Sequence, residues 1–324
     1  MYKIIPYCVL LLLLSCNSRI NENTYHHPKE DNSLPQEVSA ISMAWDEIAI
    51  DGWMISGSKL ICKTPHQERI YSVYSLGNLQ RIGAFGRKGH GNLEWVAPHL
   101  FAQNDSVWMV IDNGDRSVYD IKKGLISLVS KLSINEPVND IKTISYPIVG
   151  YVSLTPEKQS LKIFDVEQDT LIDEIAFTDQ TGKGQSSIYD FVWNVKDARI
   201  ILGHLYSDTF IICSIDKTGK ILRSDYYETD GKYSGGKCFY TDVQCGDYIY
   251  LLSQRNVDIE KMTGHSEIEV YGYDGKGKRK IILDFIADKM LLDHQGSRIL
   301  LTSIADEMLH IVEQKVAPSL LDIA

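Results

Sequence analysis

Beyond Glu37 the chain alternates short apolar runs, rich in Val, Ile, Tyr, Phe and Trp, with breaks of Gly, Asp, Asn and Pro. Val107–Ile111, Arg199–Leu202, Phe210–Cys213, Tyr248–Leu252, Ile268–Tyr273 and Ile299–Leu301 are examples. β-Branched and aromatic side chains suit a pleated, buried surface, and the breaks supply turn conformations, so each run predicts a strand. No stretch sustains the apolar period of a long helix. The pattern therefore predicts an all-β protein.

The runs repeat. Strands ending in a polar turn occur at Tyr74-Ser75, Tyr119-Asp120, Phe164-Asp165, Ile215-Asp216, Tyr273-Asp274 and Val312-Glu313, with gaps of 45, 45, 51, 58 and 39 residues. The widest gap contains the polar insertion Asn256–His265. A period of about 40 to 50 residues is that of a four-stranded propeller blade, so six marks predict a six-bladed β-propeller. Between them fall Gly89-His-Gly91, Pro137, Gly182-Lys-Gly184 and Gly235-Gly236, residues that suit the sharp change of direction from one blade to the next. Innermost strands should then start near His99, Ile141, Ile188, Phe239 and Met290. A ring must pair its first and last blades to abolish open edges. The strand-like segment Ala40–Ala49 is expected to close it by supplying the outer strand of the last blade.

The N-terminus reads differently. Met1-Tyr-Lys3 precedes the apolar run Ile4–Leu14, which is about half the length needed to span a bilayer. It reads as a cleaved signal. Leu13-Leu14-Ser15-Cys16 resembles the lipobox of bacterial lipoproteins, which implies a lipid on Cys16 and attachment to a membrane. Residues Asn17–Glu37 hold almost nothing apolar and are expected to form a flexible tether. The expected organisation is thus a signal peptide over 1–15, lipidated Cys16 and tether over 16–37, and the propeller over 38–324.

Gly83-Ala-Phe-Gly86-Arg-Lys-Gly89-His-Gly91-Asn-Leu-Glu94-Trp95 resembles the G-x-x-G-x-G-P-x-E-F stretch of the TolB-like six-bladed propeller lipoproteins of Bacteroidetes. Gly86, Gly89, Gly91 and Glu94 match, whereas Asn92 stands where that pattern has Pro and Trp95 where it has Phe. The resemblance implies a fold and a cell-envelope address, favouring the outer over the inner membrane. It implies no reaction and leaves the membrane face open.

Net charge is −10, and removal of Lys3 with the signal makes it −11. Nucleic acid, which requires clustered Lys and Arg, is not an expected partner. Of six cysteines, Cys8 lies in the signal and Cys16 is the anchor; Cys62 and Cys213 read as buried thiols, and Cys238 and Cys245 are candidates for a disulfide.

Linear catalytic motifs are lacking. Gly231–Cys238 approaches a phosphate-binding loop, but Cys238 replaces the required hydroxyl and a strand follows instead of a helix. The Arg87–Gly91 loop can be read as an anion cradle or, more simply, as a blade connector. The nine histidines are scattered with no metal-ligand spacing, so no metal or cofactor is expected. What remains is the central funnel. His99, Tyr189, Asp190, Trp193, Tyr240 and Asp242 fall on or beside innermost strands and are the candidate ligand-binding residues. Aromatics with carboxylates suit a glycan or peptide. The expected function is a non-enzymatic binding module at the envelope, taking a glycan, peptide or envelope protein. The alternative is a hydrolase or lyase whose residues come singly from different blades.

Overall fold

The computed structural model describes residues 23–26, 36–37, 40–44, 50–64, 68–91, 93–154, 159–176, 188–194, 196–205, 208–228, 240–258, 260–293, 297–303 and 305–313. Every regular element among them is a strand. The strands form six antiparallel blades of four, the first five built in chain order from the axis outward. Blade 1 comprises Gly52–Ser56, Lys59–Lys63, Arg69–Ser75 and Arg81–Lys88; blade 2, Pro98–Asn104, Val107–Asp112, Ser117–Lys122 and Leu125–Lys131. Blade 3 comprises Val138–Ser145, Ile148–Leu154, Gln159–Asp165 and Thr170–Ala176; blade 4, Ile188–Asn194, Arg199–His204, Thr209–Ile215 and Ile221–Glu228. In blade 5, Tyr240–Cys245, Ile249–Ser253, Glu267–Tyr271 and Gly277–Ile282 pair, and the polar insertion forms the small hairpin Val257–Asp258 with Thr263–Gly264.

Blade 6 closes the ring. Its strands Lys289–Asp293, Arg298–Ser303 and Met308–Glu313 are completed by Ile41–Ala44, which pairs antiparallel with the last of them, Met308 opposite Ala44 and Ile311 opposite Ile41. The protein is a six-bladed propeller sealed by its N-terminal strand, as the repeat predicts. Five of the six periodic marks end the third strand of their blade or lie just beyond it, whereas Tyr119-Asp120 falls inside Ser117–Lys122.

Packing explains why the second strands read as continuous apolar runs. Each blade is buried on both faces by its neighbours, so Ile249–Ser253 is buried at every residue. Six apolar clusters fill the interfaces between neighbouring blades; Leu60 and Tyr74 of blade 1 meet Leu291, Leu300 and Leu309 of blade 6 across the closure. Burying a side chain of this size contributes about 1.5–3 kcal/mol, so the ring is held by its interfaces as much as by its ladders.

Two findings revise the expected organisation. Asn23–His26 lies parallel along Ser224–Tyr227 as a fifth strand of blade 4, and Gln36–Glu37 lies parallel along Ile281–Ile282 of blade 5. The segment expected to be a free tether is therefore docked at two places. Its lack of apolar residues bars it from a core but not from an edge, where main-chain donors and acceptors pair irrespective of side chain. Cys245 is a buried free thiol whose Sγ donates to the Trp193 carbonyl at 3.4 Å, and its candidate partner Cys238 lies outside the described residues. Burial pushes this thiol up to about 11. Cys16, Cys238, the signal, the phosphate-loop-like segment and the glycine pairs at 182–184 and 235–236 lie outside the described residues.

Candidate functional site

The inner strands enclose an axial cavity of about 560 Å³, within the range of small-molecule sites. Its polar wall comes from successive blades. In three consecutive inner strands the register slips beside an aspartate: between Asn139 and Lys142, between Ile188 and Asp190, and between Tyr240 and Asp242. A bulge re-aims the side chain next to it, and here it brings Asp140, Asp190 and Asp242 to the cavity wall.

The three carboxyls then do different work. Asp190 Oδ1 accepts from the Phe191 N–H at 2.8 Å, and its Oδ2 from the Val243 N–H of blade 5 at 2.9 Å. Asp242 Oδ2 accepts from the Met290 N–H of blade 6 at 2.7 Å, and its Oδ1 from Gln244 Nε2 at 3.2 Å. Both staple one blade to the next. Asp140 Oδ2, by contrast, has no hydrogen-bond partner among the described residues and lies 3.4 Å from Lys142 Nζ. Asp140 also adopts φ +45°, a left-handed conformation that costs a non-glycine residue free energy. Lys142 donates to Asp190 and, at 2.6 Å, to the Phe191 carbonyl.

Titration follows from this geometry. Burial raises Asp140 to about 7, with Lys142 opposing and Asp190 adding to the rise. Burial and the Asp190 charge push Asp242 well above the carboxylate range. Burial would raise Asp190 too, but Lys142 and hydrogen bonds from the flanking carboxyls hold it far below. Asp190 is thus the ionised member, and its neighbours keep protons with which to bond it. Lys142 is raised despite burial because three carboxyls surround it. Across the cavity Asp51 pairs with Lys63 at 2.6 Å, and burial with help from Lys63 lowers His99 to about 4, leaving it neutral.

Of the residues singled out in the sequence, His99, Asp190, Trp193 and Asp242 line the cavity. Tyr189 lies on an inner strand, its side chain outside the described residues. Tyr240 is a correction: it is fully buried in the cluster between blades 4 and 5, its hydroxyl donating to Asp208 Oδ1 at 3.1 Å and Glu269 Oε2 at 3.0 Å. The register slip between Tyr240 and Asp242 turns it away from the axis. Asp140, Lys142, Lys289 and Trp53 line the cavity and were missed. The recurrent step Asp140-Ile141, Asp190-Phe191, Asp242-Val243, about one blade apart, is the signal that could have found the first. Among the described residues no three His, Cys, Asp or Glu side chains are arranged to hold a metal ion.

The glycine-rich connector is already filled. After blade 1, Glu94–Trp95 returns parallel along Arg87–Lys88, and Glu94 Oε2 accepts from the Gly91 N–H at 2.9 Å. A Cβ at Gly89 would sit 2.1 Å from the same oxygen, and one at Gly86 (φ +77°) would sit 2.6 Å from the fully buried Trp95 ring. The amide that an external anion would need serves the loop's own carboxylate.

Several solved structures align with the chain. Kluyveromyces lactis Hsv2 aligns at a TM-score of 0.52 and 13% identity, over 84% of this chain and 75% of that one. Its likeness is one of fold alone. The RRP9 WD40 repeats align at 0.48 and 8% identity (85% of this chain, 97% of that one), and a functionally unknown protein from Desulfotomaculum acetoxidans DSM 771 at 0.47 and 13% (74% and 70%). No family model and no curated protein matches the chain.

Proposed function

We propose that this chain is a membrane-tethered binding module, lipidated at Cys16 and related to the TolB-like propeller lipoproteins, that takes a small ligand into its axial cavity. The observation that carries the reading is an axial cavity of about 560 Å³ whose wall is of mixed charge, with Asp51, Asp140, Asp190 and Asp242 beside Lys63, Lys142 and Lys289. The propeller fold suits such a role, since the sheets supply a rigid frame and leave the axis free.

Two measurements test the two halves. Cys16→Ala should move the protein from the membrane to the soluble fraction. Mass spectrometry of small molecules released on denaturation should detect a species carried by the natural chain and not by Ala102→Trp, which fills the cavity from its wall. Equal retention by both forms, or a Cys16→Ala protein that stays on the membrane, would reject the corresponding half.

A further inference from the structure

We infer that the propeller lies against the membrane with the side that carries the turns between its third and fourth strands, so that the aliphatic residues opening its outer strands meet the lipid boundary. This rests on the reading of Cys16 as a lipid anchor and adds which side of the ring the bilayer covers. Three observations point the same way.

The first is a recurrence at the rim. Ile82, Leu125, Leu171 and Leu222 are the first or second residues of the outer strands of blades 1 to 4, and Ile41 opens the outer strand of blade 6. All five are between 48% and 73% exposed. Neighbouring strands of a blade run in opposite directions, so every outer strand starts on the same side of the ring. Blade 5 departs from this, with Lys278 at that place, but Tyr248 is exposed in the turn between its first two strands, on the same side. Apolar residues scattered singly over a surface are ordinary; one position repeated in five blades is not scatter.

The second is the place where the anchor joins the ring. Asn23–His26 runs parallel to Ser224–Tyr227 with Asn23 opposite Ser224, so this strand enters blade 4 at the end where Leu222 lies. Cys16 is seven residues before Asn23, about 25 Å at full extension. A lipid on Cys16 therefore holds that end of blade 4 close to the bilayer. The third is charge. In the described turns between third and fourth strands, Lys123, Lys217, Lys220 and Lys276 stand against four carboxylates, whereas the chain as a whole carries −10. This side meets anionic headgroups without the repulsion that the rest of the surface would suffer.

The orientation suits the axial cavity. Asp140, Lys142, Asp190, Asp242 and Lys289 lie within the first five residues of inner strands, which start from the opposite side of the ring. The charged end of the cavity then faces away from the bilayer.

The test uses the whole mature chain in vesicles of phosphatidylethanolamine and phosphatidylglycerol whose acyl chains carry bromine. A thiol-reactive fluorophore is placed on the rim at Ile82→Cys or Leu171→Cys, or on the other side at Met262→Cys in the blade 5 insertion, with the unsubstituted chain as background. Both rim labels should be quenched at least threefold more strongly than the label at Met262→Cys. Adding Leu125→Glu and Leu222→Glu should cut the rim quenching at least threefold while the protein stays on the vesicles with the far-ultraviolet spectrum of the parent. A rim label quenched no more than that at Met262→Cys, or rim quenching untouched by the glutamates, would overturn the inference and leave the anchor standing. A parent chain that does not remain with the vesicles overturns the anchor and the inference with it. A mass of two chains in detergent that the glutamates reduce to one would assign the rim to a second copy instead.

Discussion

Two groups of buried carboxyls, each set around a cation, behave differently in this molecule. Between blades 4 and 5, Arg255 meets Asp208 at 2.7 Å and Glu269 at 3.2 Å, and the Tyr240 and Tyr271 hydroxyls donate to Glu269 Oε2 at 3.0 and 2.7 Å. Asp208 and Glu269 are almost wholly enclosed, at 2% and 5% side-chain exposure. On the axis, the belt of Asp140, Lys142, Asp190 and Asp242 is half wall and half staple. The first group lies between sheets and the second faces open space, and that difference of direction separates charge used to hold blades together from charge left for a ligand. A buried pair gains from Coulomb attraction only what desolvation leaves over, so removing one partner costs more than the pair contributes.

Removing one member of the sealed group should therefore have the largest effect. Arg255→Met leaves Asp208 and Glu269 without their cation and should cost about 3–5 kcal/mol in urea unfolding, with maleimide labelling of a cysteine introduced in the cavity wall, Ala102→Cys, unchanged. A loss below about 1 kcal/mol would erase the contrast with the axis. Asp190→Asn should come next, at about 2 kcal/mol, because Lys142 loses its nearest carboxylate and the Phe191 and Val243 amides must share one oxygen. An effect no greater than that of Asp140→Asn would mean that Asp190 staples nothing. Below about pH 4, where carboxyl and amide are both neutral, Asp140→Asn should change stability by about 1 kcal/mol or less.

The pH profile sharpens the last point. Asp140 titrates near 7 in the fold and near its ordinary value of 3.8 when unfolded. Between those values the folded chain holds more protons, so the contribution of Asp140 to stability falls as pH rises through that window and is flat above it. Asp140→Asn should remove this component, and a stability-against-pH curve with the same slope as the parent would assign the slope to other groups.

Much of this architecture was legible because it depends on period and composition. Six strand marks and the Ala40–Ala49 closing segment specify blade number and closure, since an unpaired blade edge leaves few alternatives. The division of the inner strands was harder to read. Strand alternation sorts residues into axis-facing and blade-facing sets, but a bulge shifts the phase. Tyr240 and Asp242 have the same parity, yet one lies among the core residues and the other on the cavity wall, with the register slip between them. Lys142 went unnoticed because a lysine in a strand ordinarily reads as solvated, and only the fold brings Asp190, 48 residues on, against it. The docking of Asn23–His26 and Gln36–Glu37 left no mark in side-chain chemistry because backbone makes those contacts.

That docking has a mechanical consequence. A load applied at the N-terminus reaches Asn23–His26 first, Gln36–Glu37 second and the ring-closing Ile41–Ala44 last, in the order of the chain. Two edge pairings that contribute nothing to the circular core stand in series ahead of the one that completes it. They act as sacrificial attachments: tension applied at that end loads the rims of blades 4 and 5 before it can draw on the seam of the ring.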